Sequence, residues 1–127
     1  MSNKQLLAVI ELGGYPDFTP IYQNLGYQVT METKMRKVLK LLKKVEPAII
    51  VAEFNFQSDF RDRTSSIESM MSMVERFSNT QVIIFYDKEY HAQLAKLQAR
   101  FDFHSCLSFP IDESALALAV EQVNQQA

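Results

Sequence analysis

Two predicted strands of this chain end on a carboxylate, and these acids are its clearest candidates for chemistry. Glu53 lies at the end of the apolar run Pro47–Asn55, and Glu11 lies near the end of the run Leu6–Leu12. Ligands of open parallel sheets bind just beyond the carboxyl ends of the strands, so both acids can reach one pocket. Carboxylate oxygens are hard ligands for divalent cations, and a carboxylate can also act as a nucleophile toward a phosphoryl group.

The elements that must position these acids follow from hydrophobic periodicity. Short apolar, β-branched runs predict five strands, and apolar stripes at helical spacing predict helices between them. The predicted strands are Leu6–Leu12, Tyr27–Met31, Pro47–Asn55, Gln81–Tyr86 and Ser105–Phe109. Such alternation predicts a parallel sheet with helices on both faces, which is a doubly wound, three-layer α/β/α fold. Tyr27–Met31 alternates in polarity and is expected near an edge of the sheet.

Helix boundaries are predicted from capping residues. The first helix is expected to begin near Asp17 or Thr19 and to stop at Leu25-Gly26. Thr33 is expected to cap a helix that runs to about Val45. Ser65 and Glu68 form a predicted capping box, and Asp87 and Asp112 are predicted caps of the last two helices. Residues 1–127 are expected to form a single domain around this core.

Composition narrows the classes of function. An apolar fraction of 47% is ordinary for a globular chain, and the net charge of -2 gives no overall attraction to nucleic acid or to a membrane. Cys106 is the only cysteine, which excludes an intrachain disulfide and suits the cytoplasm. No apolar run approaches the ~20 residues of a membrane span. We therefore expect a cytoplasmic protein with neither a nucleic-acid nor a membrane partner.

One helix is strongly basic. Between residues 34 and 44 the chain carries six cationic side chains and no acid: Lys34, Arg36, Lys37, Lys40, Lys43 and Lys44. A solvated helix face is the interpretation that this pattern favours. The alternative is a docking face for an acidic partner.

The order of elements and the strand ends resemble the receiver domain of bacterial two-component response regulators, over nearly the whole chain. The resemblance implies the CheY-like, flavodoxin-like strand order 2-1-3-4-5. In receivers a proline and a few apolar residues precede the phosphoacceptor aspartate, whose place is taken here by Glu53 after Pro47. Asn55 matches the residue that helps to hold magnesium through its carbonyl, and Ile10-Glu11 matches the acidic pair of the first strand.

The chain departs from the receiver pattern at each of these functional places. Glu53 is one methylene longer than aspartate, and Ile10 replaces one of the metal carboxylates. Tyr86 stands where receivers have threonine or serine, and Phe109-Pro110 stands where they have lysine and proline. A phenyl ring cannot donate a hydrogen bond to a phosphoryl oxygen. We interpret the chain as a degenerate receiver, or pseudo-receiver, that has lost aspartyl phosphorylation.

The resemblance therefore implies a non-enzymatic module for protein-protein interaction in bacterial two-component-type signal transduction (a phosphorelay). Its partner would be a kinase, an output domain, or a second copy that pairs through the fourth and fifth helices. Two alternatives stay open: a phosphorylatable receiver with a divergent site, and a flavodoxin-like binder of a small ligand. No cofactor is expected. A weak magnesium site of Glu11, Glu53 and the Asn55 carbonyl is less favoured than two solvated acids.

Aromatic residues gather in the predicted loops at the carboxyl end of the sheet. They are Tyr15, Phe18, Phe54, Phe56, Phe60, Tyr86 and Phe109. An exposed apolar patch of this kind marks a partner or ligand surface. We expect Phe54, Phe56 and Phe109 to contribute to such a surface, whereas His91 and His104 are expected to be surface histidines without a metal.

Overall fold

The computed structural model describes residues 4–10, 15–54 and 66–126. The strands are β1 (Gln5–Val9), β2 (Gln28–Glu32), β3 (Ile49–Glu53), β4 (Gln81–Tyr86) and β5 (Ser105–Ser108). The helices are α1 (Thr19–Asn24), α2 (Met35–Leu42), α3 (Ser66–Val74), α4 (His91–Gln98) and α5 (Glu113–Gln126), and a short 3₁₀ turn, Lys88–Tyr90, leads into α4.

All five strands run parallel in the order β2-β1-β3-β4-β5. This confirms the predicted flavodoxin-like order and the predicted edge position of β2. Every residue of β3 is buried, because the strand has a neighbour on each side and helices over both faces. The register pairs Glu53 at the end of β3 with Phe85 of β4.

The pleat of the strands divides the interior into two cores. Leu7, Ile50 and Ile84 face the side covered by α2, α3 and α4. Val51 and Ile83 face the side covered by α1 and α5. The three-layer arrangement predicted from the alternation of elements is therefore present.

The ends of two elements differ from the prediction. β1 ends at Val9, and the residues that follow Ile10 in the predicted strand, Glu11 and Leu12, lie outside the described residues. Thr33 does not cap α2. The helix begins at Met35 after an extended Lys34, and the Thr33 N–H donates instead to the Glu32 carboxylate at 3.1 Å.

The far end of α2 is shorter than predicted, since the helix stops at Leu42 rather than near Val45. The N–H groups of the next two residues turn back to carbonyls three residues earlier, Lys43 to Lys40 at 3.3 Å and Lys44 to Leu41 at 2.9 Å. Such tighter bonds are usual where a helix ends. The buried stripe predicted for this helix is present in Met35, Val38 and Leu42.

The other predicted caps fall into three groups. Gly26 has a φ of 93° just after α1, the left-handed conformation that glycine adopts most readily. Asp87 accepts the Glu89 N–H at 2.9 Å and caps the 3₁₀ turn, and Asp112 accepts the Ser114 N–H at 3.3 Å before α5. The capping box predicted at Ser65 lies outside the described residues.

Candidate functional site

Glu53 lies at the carboxyl edge of the sheet, on the side of α1 and α5. The pleat sets this side, because Val51 faces the same core two residues earlier. The Glu53 side chain is only 6% exposed and is the one buried charged side chain among the described residues. A carboxylate so far removed from water interacts strongly with the groups around it.

Aromatic rings lie at the strand end beside Glu53. Phe85 is paired with Glu53 in the strand register, and its ring lies 5.3 Å from the ring of Tyr15 between centroids. Tyr15 also meets Phe109 edge to face at 5.5 Å, and Phe18 meets Phe85 edge to face at 5.7 Å. These four rings form the strand-end aromatic cluster: Tyr15, Phe18, Phe85 and Phe109. Edge-to-face contacts at these distances are favourable beyond the area that they bury.

Tyr15 is the polar member of the strand-end aromatic cluster. Its partial burial raises the pKa of Tyr15 to about 12, and the negative charges of Glu53 and Asp87 add to this increase. All three influences disfavour the phenolate. Near neutral pH the Tyr15 hydroxyl is therefore protonated, so it is a hydrogen-bond donor beside two acids and not a base.

Tyr86 is the last residue of β4, and Phe109 directly follows the last residue of the neighbouring strand β5. The Phe109 N–H donates to the Tyr86 carbonyl at 2.8 Å, which continues the ladder beyond Ser108. The Tyr86 side chain is half-buried against the core under α4, and its ring lies 6.3 Å from that of His91. Phe109 is 45% exposed and is followed by a cis bond to Pro110. The two rings thus point into different surroundings, and only the Phe109 ring belongs to the strand-end aromatic cluster.

The exposure expected for Phe54 is wrong. Phe54 is only 4% exposed and packs in the core under α2, α3 and α4. Its N–H donates to the Phe85 carbonyl at 2.7 Å, so the chain continues in strand geometry one residue past Glu53 and turns the Phe54 ring to the opposite face. The ring cannot reach a partner without unfolding part of the core.

Three of the predicted site residues, Glu11, Asn55 and Phe56, lie outside the described residues, so their grouping with Glu53 stays a prediction. Among the residues that the structure describes, no set of three or more acids, histidines and cysteines is placed to hold a metal ion. His91 is exposed, whereas His104 is half-buried, with its Nδ1 2.9 Å from the Ser105 hydroxyl.

Phe85 and Asp87 are the site residues that the sequence reasoning missed. Phe85 was treated only as part of a buried strand, and Asp87 only as a helix cap. The signal was available in the parallel pairing of β3 with β4, which places the ends of the two strands side by side. Residues at the end of β4 must then border Glu53.

Solved structures similar to this chain are mainly receiver domains. A signal receiver domain of an HD domain-containing protein from Pseudomonas fluorescens Pf-5 superposes with a TM-score of 0.72 at 17% identity, over 98% of this chain and 97% of the other. The chemotaxis response regulator CheY4 of Vibrio cholerae gives 0.70 at 15% identity, over 96% and 99%. A chain described as adenylate cyclase from Rhodopirellula baltica gives 0.71 at 14% identity, over 98% and 90%.

These similarities show that the chain has the CheY-like receiver fold. No protein-family model and no curated protein matches the sequence. Within the described residues, no helix has both the length and the apolar composition needed to cross a bilayer.

Proposed function

We propose that this chain is a phosphorylation-independent pseudo-receiver, which acts as a protein-protein interaction module in bacterial two-component-type signalling. The observation that carries the proposal is the strand-end aromatic cluster. Phe85 is the strand neighbour of Glu53, and Tyr15 joins the Phe85 ring to the Phe109 ring at the edge of the sheet where a receiver would bind its phosphoryl group.

Phosphoryl transfer depends on positioning and on neutralising charge. An incoming phosphoryl donor needs cations and hydrogen-bond donors around the accepting carboxylate. Glu53 is instead almost shielded from water, and apolar rings adjoin it. A dianionic group placed against these rings would lose hydration on that side, and burial of charge is strongly unfavourable unless it is compensated.

The position of Phe109 adds to this argument. Its backbone is fixed to β4 by the bond to the Tyr86 carbonyl, and its ring contacts Tyr15. Receivers have a lysine at the position that Phe109 occupies, and the ammonium group of that lysine would contact the phosphate. An aromatic ring offers no positive charge and no hydrogen-bond donor to it. Glu53 also does not reproduce phosphoaspartate as a permanent mimic, because a carboxylate carries about half the charge of a phosphoryl group.

The proposal includes the role and the setting expected from the sequence. The module is non-enzymatic and works in the cytoplasm, and its partner is a protein such as a kinase, an output domain or a second copy. Receiver-like similarity over nearly the full chain supports this assignment. The exposed Phe109 ring is the described part of the aromatic surface that remains available to a partner.

Incubation of the full chain with acetyl phosphate and magnesium, followed by intact-mass measurement, tests the proposal. We expect the mass to stay unchanged, because a phenyl ring stands where receivers have a lysine and the Phe85 and Tyr15 rings lie beside Glu53. A gain of about 80 Da, the mass of one phosphoryl group, would contradict the proposal if it is absent from the Glu53→Gln variant.

A variant with receiver residues restored shows whether the reagent and the fold are competent. Ile10→Asp, Glu53→Asp, Tyr86→Thr and Phe109→Lys together return the carboxylates, hydroxyl and cation of the receiver pattern. We expect this variant to take up the phosphoryl group where the natural chain does not. Circular dichroism of both proteins checks that the variant is folded.

A further inference from the structure

The six cations of residues 34–44 are all exposed, and we call them the basic face: Lys34, Arg36, Lys37, Lys40, Lys43 and Lys44. The opposite side of the helix is fixed in the core by Met35, Val38 and Leu42. Among the described residues, none of the six forms an ion pair with an acid. The basic face therefore holds a high density of positive charge that no ion pair within the described residues neutralises.

The opposite charge is concentrated elsewhere in the chain. The basic face holds six of the 13 cationic side chains, while all 15 acids lie outside it. From residue 101 to the end there are four acids and no lysine or arginine, and all four are exposed. We call them the acidic edge: Asp102, Asp112, Glu113 and Glu121.

The fold holds the basic face and the acidic edge apart. α2 packs against β2 and α3 on one face of the sheet, whereas α5 packs against β5 and α1 on the other. β2 and β5 are the two outer strands, and four strand spacings of about 4.8 Å separate them by roughly 19 Å. Two surfaces on opposite edges and opposite faces cannot neutralise each other within one molecule.

We propose that copies of this chain associate head to tail, with the basic face of one copy docked on the acidic edge of the next. The dimensions of the two surfaces agree. Glu113 and Glu121 are eight residues apart on α5, which is about 12 Å. Arg36 and Lys44 are also eight residues apart, six of these steps within α2 and the last two in the tight turn that ends it, so the two lengths are similar. The proposal stands whether or not Glu53 accepts a phosphoryl group, so its failure and that of the proposed function are separate results.

The acidic edge also has the apolar component of a protein interface. Leu118, one turn from Glu121 on α5, is 56% exposed, and Phe109 beside Asp112 is 45% exposed. The methylene stems of lysine side chains can cover such apolar groups while their ammonium groups reach the acids. Docking of the basic face would thus remove apolar surface from water as well as pair charges.

A second copy fits the basic face better than a nucleic acid does. The basic face covers only α2, about 12 Å long, and one or two residues at each end, so an extended polyanion would continue past it onto the rest of the chain, where acids outnumber cations. The basic face also contains no aromatic side chain on which a base could stack. On another copy, the acids from Asp112 to Glu121 lie just before α5 and along its first part, within about 14 Å, a length that the basic face can cover.

Head-to-tail contact is a heterologous arrangement, which produces open chains rather than closed dimers. Sedimentation velocity of the full chain at increasing concentration measures the size of the assemblies directly. At about 0.01 M salt, where charges act over about 30 Å, we expect the sedimentation coefficient to rise with concentration beyond that of a dimer. At about 1 M salt, where the range is about 3 Å, we expect monomers.

Two charge-reversal variants test the surfaces separately. Lys40→Glu with Lys44→Glu makes the basic face less basic, and Glu113→Lys with Glu121→Lys makes the acidic edge basic. Each variant alone should lose at least tenfold in association constant, because like charges then face each other. An equimolar mixture should associate again, since each variant keeps the natural surface that the other lacks. Lys88→Glu with Lys96→Glu, which changes the net charge equally on exposed residues elsewhere, should associate like the natural chain.

Three results would overturn the proposal. The first is a natural chain that stays monomeric at low salt, and the second is association that survives the Lys40→Glu, Lys44→Glu substitutions. The third is a monomeric chain whose basic face binds a fluorescent duplex DNA of about 20 base pairs, with binding lost in the same variant. Circular dichroism of each variant confirms that a loss of association is not a loss of folding.

Discussion

The middle of strand β3 and its carboxyl end obey different constraints. Ile49 to Ala52 are fully buried between β1 and β4, and any polar group there would lose its hydration. Glu53 follows directly, and its surroundings are set by loops and by the ends of other strands. The comparison teaches that the apolar interior determines the fold, while a strand end lined with aromatic rings is compatible with the same strand order.

The largest effect should come from the two phenylalanines that the sequence grouped together. Phe54→Ala should lower the free energy of unfolding by about 3 to 5 kcal/mol, because it empties a buried site under α2, α3 and α4. Phe109→Ala should cost less than about 1 kcal/mol, since its ring is half in solvent. Urea unfolding of both variants measures the difference.

Equal losses in the free energy of unfolding for Phe54→Ala and Phe109→Ala would contradict the difference between the interior and the strand end. Both variants remove the same side chain, so their difference reports only on the surroundings. If Phe54→Ala lowered the free energy of unfolding only slightly, the Phe54 ring would not be part of the core and would belong to the partner surface.

Alkaline pH should act on the strand end through Tyr15. Its pKa in the folded chain is about 12, above the pKa of about 10 of an exposed tyrosine, so the unfolded chain loses the phenolic proton first. The stabilising contribution of the protonated hydroxyl is complete below pH 10 and is lost as the pH rises toward 12. Unfolding measured across this range should show a steeper loss for the natural chain than for Tyr15→Phe.

Tyr22 serves as the internal reference in that experiment. Burial of Tyr22 on the α1 side also raises its pKa, and it is present in both proteins, so its contribution cancels in the difference. An unchanged alkaline profile in Tyr15→Phe would mean that Tyr15 is freely exposed and does not cover Glu53.

The smallest effect should follow from removal of one neighbouring charge. Asp87→Asn retains a side-chain oxygen that can cap the 3₁₀ turn, so stability should change little. Loss of the negative charge should lower the pKa of Tyr15 below its natural value, while burial and Glu53 still keep it above that of an exposed tyrosine. The difference in phenolate absorbance between this variant and the natural chain measures the shift.

The interior was predictable from sequence because burial leaves a strong pattern. β4 was predicted with its observed bounds, Gln81–Tyr86, since a continuous apolar run between polar residues has few other interpretations. The buried positions of α5, Leu116, Ala119, Val120 and Val123, were also predicted from their spacing. The alternation of strands and helices along the chain then predicted the three-layer α/β/α arrangement.

The strand end was predictable only in part. The sequence identifies Glu53, Tyr86 and Phe109 as residues at strand ends, but it groups Phe54, which lies within the predicted strand Pro47–Asn55, with the exposed aromatic residues of the loops. One further backbone hydrogen bond, from the Phe54 N–H to the Phe85 carbonyl, keeps Phe54 in strand geometry and places its ring on the face opposite to Glu53. Hydrophobic periodicity does not reveal this hydrogen bond. The contact of Tyr15 with Phe85 and Phe109 likewise joins residues far apart in sequence, which local patterns cannot reveal.

The central claim, that the aromatic strand end does not accept a phosphoryl group, is tested most directly by intact-mass spectrometry after incubation with acetyl phosphate and magnesium. We predict one unmodified mass for the natural chain and for Glu53→Gln alike. A stable gain of about 80 Da in the natural chain that disappears in Glu53→Gln would contradict the claim.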